Sequence, residues 1–151
     1  MITYREYRNE DWVAICGIHD RARPDELAGS CDPRGFIPIE QDKEVEDLKR
    51  SHKHVACIGD QVAGFVGVDE DYLAWLYVDP AHYGKGIGRA LLRIGLREIG
   101  EGAWTIALAG NKKAISLYES EGLHEVERFE GDNNGYPCTC LRLKRTPLKM
   151  T

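Results

Sequence analysis

Two hydrophobic periodicities alternate along this chain. Apolar residues at every second position are typical of strands, and apolar residues three or four positions apart are typical of helices. The strand pattern occurs in seven segments, which are residues 2–7, 54–58, 62–68, 72–78, 104–109, 123–129 and 138–143. The helical pattern occurs in four segments. Three of them are residues 9 to about 22, 41–50 and 111–120, and the fourth begins at the end of the loop 83–88 and continues to about residue 99. Two strand-to-helix crossovers in an otherwise hairpin-connected order predict an α+β fold with a mixed, mostly antiparallel sheet.

Two stretches of the chain follow neither periodicity. Residues 23–41 contain three prolines and two glycines, which leave room only for a short helical piece near residues 25–28. Residues 130–137 include Asn133-Asn134-Gly135 and separate the last two strands. Long irregular segments in compact domains are often functional loops. We therefore expect both stretches to form walls of a substrate site.

Length and composition narrow the class of protein. The 151 residues fit one domain, which we expect to span 1–151 with a frayed tail from about residue 146. The net charge of −5 disfavours a nucleic-acid partner, because phosphate binding normally needs a basic surplus. No apolar run approaches the roughly 20 residues of a membrane span, and the N-terminus resembles neither a secretory signal nor a transit peptide. We expect a cytoplasmic protein with no membrane partner.

The cysteines bear on redox state and on metal binding. They are Cys16, Cys31, Cys57, Cys138 and Cys140. Their odd number, irregular spacing and lack of an export signal predict reduced thiols. The last two alternate onto one face of a strand, as do His52 and His54. A zinc site would need a second ligand pair at matching spacing, and since none is found we expect no metal.

The sharpest feature is a glycine-rich loop between a strand and a helix, Tyr83-Gly84-Lys85-Gly86-Ile87-Gly88. Successive backbone amides at a helix N-terminus form an anion site, and glycine lets the backbone approach an oxygen-rich ligand closely. The spacing fits neither the dinucleotide motif G-x-G-x-x-G nor the Walker A motif, which weakens a nucleotide-binding function. A glycine-rich turn without a ligand is the plainer alternative.

This loop resembles the acyl-CoA signature of the GNAT-type N-acetyltransferases, whose loop is [Gln/Arg]-x-x-Gly-x-[Gly/Ala]. Only Tyr83 departs from that pattern. A second motif follows at the expected distance: residues 111–123 are similar to the family's Asn-x-x-Ala-x-x-x-Tyr-x-x-x-Gly-Phe segment, with Leu123 in place of Phe. The resemblance covers nearly the whole chain. It implies a GNAT-like sheet of about seven strands flanked by about four helices, with acyl-CoA in a cleft between splayed central strands.

The resemblance implies direct acetyl transfer from acetyl-CoA to a primary amine of a small molecule or peptide, through a tetrahedral intermediate. Backbone amides near Leu76 and Val78 would bind the pantetheine arm and stabilise the oxyanion, amides from Gly84 to Arg89 would hold the pyrophosphate, and Asn111 would bond the arm. Tyr118, a phenol with an ordinary pKa of about 10, would protonate the departing thiolate. The implied cofactor-binding residues are Leu76, Tyr77, Val78, Tyr83, Gly84, Lys85, Gly86, Ile87, Gly88, Arg89, Asn111, Ala114 and Tyr118.

Taken without the linked loop, the second motif has a structural alternative. Tyr118 would be a packing tyrosine and Asn111 a helix cap.

The general base and the acceptor pocket depend on weaker signals. Among carboxylates near the central strand we favour Glu70 as base; the other candidates are Asp71, Glu26 and Glu40. Candidate pocket residues are Phe36, Tyr72, Trp75 and Tyr136, with Asp25, Glu26 and Asp32 to attract a cationic amine. The identity of the amine and the length of the acyl group stay open.

Two further expectations concern the class of protein. A non-catalytic acyl-CoA sensor or regulatory module is the alternative function, since Tyr83 departs from the motif and no clear base is found. Members of the family often dimerise, so the resemblance also allows a homodimer, although no segment of the sequence indicates an interface.

Overall fold

The computed structural model describes residues 1–146, and they form one seven-stranded sheet with four α-helices. The strands are β1 Ile2–Glu6, β2 His52–Ile58, β3 Gln61–Asp69, β4 Tyr72–Val78, β5 Trp104–Leu108, β6 Leu123–Asn133 and β7 Tyr136–Arg145. The helices are α1 Trp12–Leu27, α2 Val45–Arg50, α3 Ile87–Ile99 and α4 Lys112–Ser120. The predicted α+β class and the numbers of strands and helices are confirmed.

The sheet has the order β1-β2-β3-β4-β5-β7-β6 and opens in its middle. Every neighbouring pair is antiparallel except β4 and β5, which are parallel and pair only at Tyr72 and Trp104. One side-chain bond joins the strands nearby, from Thr105 Oγ1 to the Leu73 carbonyl at 2.8 Å. Beyond this point the two strands diverge, so within residues 1–146 the second half of β4 has a sheet neighbour only in β3.

A bulge in β4 decides which side chains face each layer. Gly67 pairs with Trp75 and the next residue, Val68, pairs with Leu73, so Ala74 is an extra residue on β4. A bulge of this kind shifts the alternation of side chains by one position. Leu73 consequently packs against the core on the α3 face, whereas Trp75 packs on the α1 face. Beyond the bulge, Leu76 and Val78 face α3 while Tyr77 faces α1.

Two hydrophobic cores, one on each face of the sheet, hold the helices against the strands. On one face, α3 buries Leu91 and Leu92 completely, and α4 contributes Tyr118. A Cβ atom on Gly95 would lie 2.9 Å from Leu73 Cδ1, so glycine there allows α3 to lie close to the sheet. On the other face, the largest buried side chains of α1, α2 and the sheet form a second core, which includes Ile15, Ile18, Leu48 and Phe65.

Two boundaries differ from the sequence prediction. Helix α1 continues through Pro24 to Leu27, although the pattern of residues 9–22 and Pro24 predicted an earlier end. Proline in a helix costs a hydrogen bond; here Leu27 is fully buried against β5 and β7, and this packing holds the last turn. The predicted loop at 130–137 is mostly strand, because Asn134 and Gly135, both at positive φ, close a two-residue hairpin.

The prediction that all cysteines are reduced thiols is wrong for two of them. Cys31 and Cys138 form a disulfide, with their Cα atoms 5.4 Å apart, whereas Cys16, Cys57 and Cys140 are free and buried. The segment after α1 folds back against β7, so residues 107 positions apart in sequence become neighbours. Cys138 and Cys140 share one buried cluster, as their alternation on the strand predicted.

The remaining predictions about the chain's organisation concern its tail and the membrane. The tail expected to be frayed from about residue 146 lies, apart from Thr146, outside the described residues. No helix within residues 1–146 has the length and apolar character needed to cross a bilayer.

Candidate active site

The glycine-rich loop forms an anion cradle at the start of α3. Gly84 and Gly86 have φ values of +81° and +78°, a conformation that only glycine adopts easily, and Gly86 is the N-cap residue of α3. The first backbone bond into the helix runs from the Ala90 N–H to the Gly86 carbonyl. The N–H groups of the preceding helical residues therefore have no partner within the helix, as at any helix start. Nothing lies within 4 Å of where a Cβ on Gly84 or Gly86 would stand, so a ligand can approach this backbone.

A cavity of about 800 Å³ extends from this cradle along the end of β4 to α4. It is lined by every predicted cofactor-binding residue except Lys85. The Lys85 ammonium is instead exposed and lies 3.0 Å from Nδ1 of His82. The two motifs, which are separated in sequence by β5, thus meet across one cavity.

The backbone of β4 presents free amides to this cavity. The Asp79 N–H donates to the Ala63 carbonyl of β3 at 2.8 Å. Because N–H directions alternate along a strand, the amide of Tyr77 also points towards β3, and those of Leu76 and Val78 point towards β5. β5 has diverged at this level, and no ladder pair joins it to β4 beyond Tyr72 in the part of the chain that the structure describes. Leu76 and Val78 thus offer two donors in the cleft.

Tyr118 lies at the inner end of this cavity, on α4. Its side chain is 7% exposed, and burial, with a smaller contribution from the charge of Glu26, raises the pKa of its phenol well above the ordinary value. The phenol stays protonated at neutral pH, so it can donate a hydrogen bond. Since its pKa also exceeds that of a free thiol, about 8.5, complete proton transfer to a free thiolate is uphill.

Asn111 and Arg89 have structural partners as well as places on the cavity. Asn111 is the N-cap of α4, and its Oδ1 accepts a hydrogen bond from the Ala114 amide at 3.3 Å. Arg89 Nη1 lies 2.6 Å from Glu121 Oε2 and 2.9 Å from Ser120 Oγ, so its side chain ties α3 to the end of α4. Its backbone amide remains at the start of α3, where the predicted phosphate contact needs it.

Tyr83 closes the outer rim of the cavity. Its hydroxyl donates to Asp25 Oδ2 at 3.2 Å, and burial together with this carboxylate raises the pKa of Tyr83 to about 12. Lys113 Nζ lies 5.8 Å from the centre of the ring. The aromatic side chain at the position where the motif usually has Gln or Arg therefore bridges α1 and α4.

A second cavity, of about 520 Å³, lies on the opposite face of β4. Tyr72, Trp75 and Tyr77 form its floor, and its walls come from α1, from residues 42–47 and from the turn of the β6–β7 hairpin. Arg23 and Lys43 are its basic side chains, against six carboxylates, which are Glu26, Asp42, Glu44, Asp47, Asp69 and Asp132. Burial and the neighbouring Asp47 raise the pKa of Glu44. The surplus of acidic groups makes this cavity suited to a cation.

Glu26 lines both cavities, as does Tyr77. Glu26 Oε1 accepts hydrogen bonds from the Tyr77 hydroxyl at 2.6 Å and from Arg23 Nη1 at 2.5 Å. Arg23 also donates to Asn133 Oδ1 at 3.2 Å, which ties this group to the β6–β7 hairpin. Burial and the adjacent Glu26 charge raise the pKa of Tyr77, which therefore remains a donor. The carboxylate of Glu26 is thus held at the border of both cavities.

The structure places Glu70, the favoured base, at the tip of the β3–β4 turn, where it is exposed and has φ of +53°. It lines neither cavity. Phe36, Tyr136, Asp32 and Glu40 are also outside the second cavity, whereas Tyr72, Trp75 and Glu26 line it and Asp25 lines the first. The two stretches predicted to be irregular, 23–41 and 130–137, do supply walls of the second cavity, although Arg23 and Glu26 belong to α1 and Asn133 to β6.

Comparisons with known proteins identify the family of this chain. Residues 49–124 match a family described as the acetyltransferase (GNAT) domain. The chain is 31% identical over 114 residues to the peptidyl-lysine N-acetyltransferase YjaB of Escherichia coli, covering 72% of this chain and 77% of that protein. It is 30% identical over 95 residues to the uncharacterized N-acetyltransferase YafP of Escherichia coli, covering 61% of this chain and 63% of that protein.

A solved structure extends the likeness to the whole fold. The structure of yncA, a putative acetyltransferase from Salmonella typhimurium with its cofactor acetyl-CoA, superposes with a TM-score of 0.70. The match covers 99% of this chain and 96% of that one at 21% sequence identity. At this identity the likeness shows the fold.

Proposed function

The chain belongs to the GNAT acetyltransferase family, and on that premise we propose that it transfers an acetyl group from acetyl-CoA to a primary amine of a small molecule or peptide. The observation that carries the proposal is the pair of cavities on the two faces of β4, which share Glu26 and Tyr77. One cavity begins at an anion cradle, and the other is acidic. The arrangement suits an anionic donor and a cationic acceptor that meet at the strand.

The first cavity has the features that acetyl-CoA requires. The free amides at the start of α3 would hold its diphosphate, and Leu76 and Val78 would donate to its pantetheine arm from the open side of β4. When bound, acetyl-CoA supplies an activated acetyl thioester. The donor set fits this group, since an amide facing the cleft can stabilise the negative charge that develops on the thioester carbonyl oxygen.

The second cavity would hold the acceptor, and Glu26 would take its proton. A primary amine of the lysine type has a pKa of about 10.4 and arrives as an ammonium ion. It must lose a proton before its nitrogen can attack. Glu26 is the carboxylate that both cavities share, so we assign it this role in place of Glu70. Arg23 and Tyr77 hold one of its oxygens and orient the carboxylate.

Tyr118 would stabilise the leaving sulfur. Its phenol lines the first cavity beside the end of β4 and stays protonated, so it donates a hydrogen bond to the sulfur as the bond to carbon breaks. The overall balance is an ammonium and a thioester giving an amide, a thiol and one released proton. Because the pKa of Tyr118 is raised, the phenol acts as a hydrogen-bond donor throughout, and the thiol takes its proton from solvent.

The relatives indicate which acceptors to test first. YjaB is named a peptidyl-lysine N-acetyltransferase, and the acidic second cavity is compatible with a lysine side chain or a small diamine. We would incubate the protein with acetyl-CoA and a panel of lysine peptides, diamines and neutral amines, and identify acetylated products by mass spectrometry. We expect acetylation of a cationic acceptor by the wild type, and formation of the product about 10²-fold more slowly by the Tyr118→Phe variant.

A binding measurement beside the amine panel separates the enzyme from the alternative sensor function. Calorimetric titration with acetyl-CoA in the absence of any amine measures binding alone. Binding without a product from any member of the panel would favour the sensor. No binding of acetyl-CoA would contradict the assignment of the first cavity.

A further inference from the structure

Three metal-ligating side chains come together on the α3 face of the sheet, at the start of β2. His52 and His54 alternate onto one face of β2, and Glu98 reaches them from the last turn of α3. One nitrogen of each histidine and a carboxylate oxygen of Glu98 all lie within 4.8 Å of one another. His52 Nδ1 is already 2.6 Å from Glu98 Oε1, and the two imidazole rings are 5.2 Å apart.

A further carboxylate supports this cluster from outside. Glu6 of β1 is the cross-strand partner of His54, and its Oε1 lies 3.3 Å from Nε2 of His52. Metal-bound histidines usually donate their second ring N–H to a carboxylate, which fixes the tautomer and strengthens the ligand. His52 has this arrangement, because Nδ1 faces Glu98 while Nε2 faces Glu6.

From this geometry we infer a binding site for one divalent cation of the zinc type, with His52, His54 and Glu98 as ligands. Two imidazoles and one carboxylate are a donor set that suits zinc and its neighbours rather than calcium or magnesium. Ligand bonds near 2.0–2.1 Å place tetrahedral ligand atoms about 3.3 Å apart. The widest separation between ligand atoms, up to 4.8 Å, would close by about 1.5 Å, and the 2.6 Å between His52 Nδ1 and Glu98 Oε1 would widen to about 3.3 Å. These side chains can make such movements, because His52 is 54% and Glu98 30% exposed. A water molecule would complete the coordination.

The site would link strand β2 to the C-terminal turn of α3. His52 and His54 lie on β2, and Glu98 belongs to the helix whose other end forms the anion cradle. A bound ion would hold the C-terminal turn of α3 to the β1–β2 edge. The proposed metal site is distant from the buried cysteines Cys138 and Cys140, because β3, β4 and β5 lie between β2 and β7 in the sheet.

The site is tested by titrating the whole chain with Zn²⁺ in a calorimeter, without acetyl-CoA. We expect one ion per chain, and an affinity at least about tenfold lower in His52→Ala, His54→Ala and Glu98→Gln, the lower end of what loss of even an outer partner costs. His124→Ala is the matched control, since His124 is an exposed strand histidine on β6. The inference fails if Zn²⁺ does not bind or if the His52→Ala, His54→Ala double variant binds it as tightly as the wild type.

Absorption of the Co²⁺-loaded protein identifies the donor atoms. Nitrogen and oxygen ligands give weak visible bands, whereas a thiolate adds an intense near-ultraviolet band. We expect the visible bands alone, and their loss in the double variant. An intense near-ultraviolet band that persists in that variant would assign the ion to the cysteines instead. Neither measurement depends on acetyl transfer, so the metal site and the proposed function stand or fall separately.

Discussion

The two faces of β4 carry cavities that the sequence encodes in different ways. On the α3 face, β4, the glycine-rich loop and α3 follow one another directly, and α4 comes one strand later. On the α1 face, the cavity is assembled from α1, residues 42–47 and the β6–β7 hairpin, which span more than a hundred positions. Short motifs specify the first cavity, whereas the second exists only once the whole chain has folded. The first can therefore be identified from local patterns, and the second cannot.

The largest effect should come from the carboxylate that both cavities share. Glu26→Gln removes the proton acceptor while keeping an oxygen for Tyr77, so we expect kcat to fall about 10²–10⁴-fold, the range for general base catalysis. Glu70→Gln is the matched control and should leave kcat unchanged. Steady-state rates against a cationic acceptor measure both. An equal loss of kcat in the two variants would contradict the preference for Glu26 over Glu70 as the base.

The assignment of the base shows where sequence reasoning stops. Asn111 and Tyr118 lie two helical turns apart, so their common face follows from spacing alone, and the structure places both on one cavity. Glu26 reaches β4 only because α1 continues past Pro24 and buries Leu27. The position of Glu26 therefore depends on packing of α1 against β5 and β7, strands that come late in the sequence, and no local sequence pattern predicts it.

Other differences have the same origin, with one exception. The partner of Cys31 is 107 residues away, and Glu98 joins His52 and His54 only through the packing of α3 on β2. The β6–β7 hairpin is the exception, since Asn134-Gly135 is the strongest short-range signal for a two-residue hairpin turn. The predicted loop over residues 130–137 missed this signal, which favours the continuation of β6 and β7 up to the turn.

Tyr118 provides the next largest effect, on the first cavity alone. Tyr118→Phe removes a hydrogen-bond donor, and we expect kcat to fall about 10²-fold while the Kd for acetyl-CoA changes little. Tyr136→Phe, outside both cavities, is the control. Because burial raises the pKa of Tyr118, its proton is retained as the pH rises. The wild-type rate should therefore show no decline from ionisation of this phenol below its ordinary pKa of about 10. A decline near neutral pH that disappears in Tyr118→Phe would contradict the burial argument.

A backbone substitution tests the anion cradle with a smaller effect. Gly86→Val places a β-branched side chain at φ of +78°, which costs about 1–2 kcal/mol and projects atoms into the space where the diphosphate would lie. We expect the Kd for acetyl-CoA to rise about tenfold, which corresponds to about 1.4 kcal/mol. Gly59→Val introduces comparable strain at φ of +61° in the β2–β3 turn, away from both cavities. Equal affinity of the two variants for acetyl-CoA would contradict the assignment of the anion cradle as the binding site of its diphosphate.

The smallest expected effect concerns the charge of the second cavity. Asp132→Asn removes one exposed carboxylate from its wall, and a single solvent-exposed ion pair contributes about 0.2–1 kcal/mol. We expect the KM for a cationic acceptor to rise about twofold at low salt, with less change at high salt. The KM for acetyl-CoA is the internal control and should stay constant. A matching rise for a neutral amine would exclude an electrostatic cause.

The disulfide between Cys31 and Cys138 turns most of the protein into a closed ring. Five of the seven strands, β2 to β6, and three of the four helices lie between its two ends, which are 107 residues apart. If the chain were stretched from its termini in a single-molecule experiment, the ring would remain shut after every hydrogen bond had broken. Reduction would release about 360 Å of additional contour length, at about 3.4 Å for each extended residue. The bond that joins the segment after α1 to β7 is thus also a mechanical limit on how far the molecule can be drawn out.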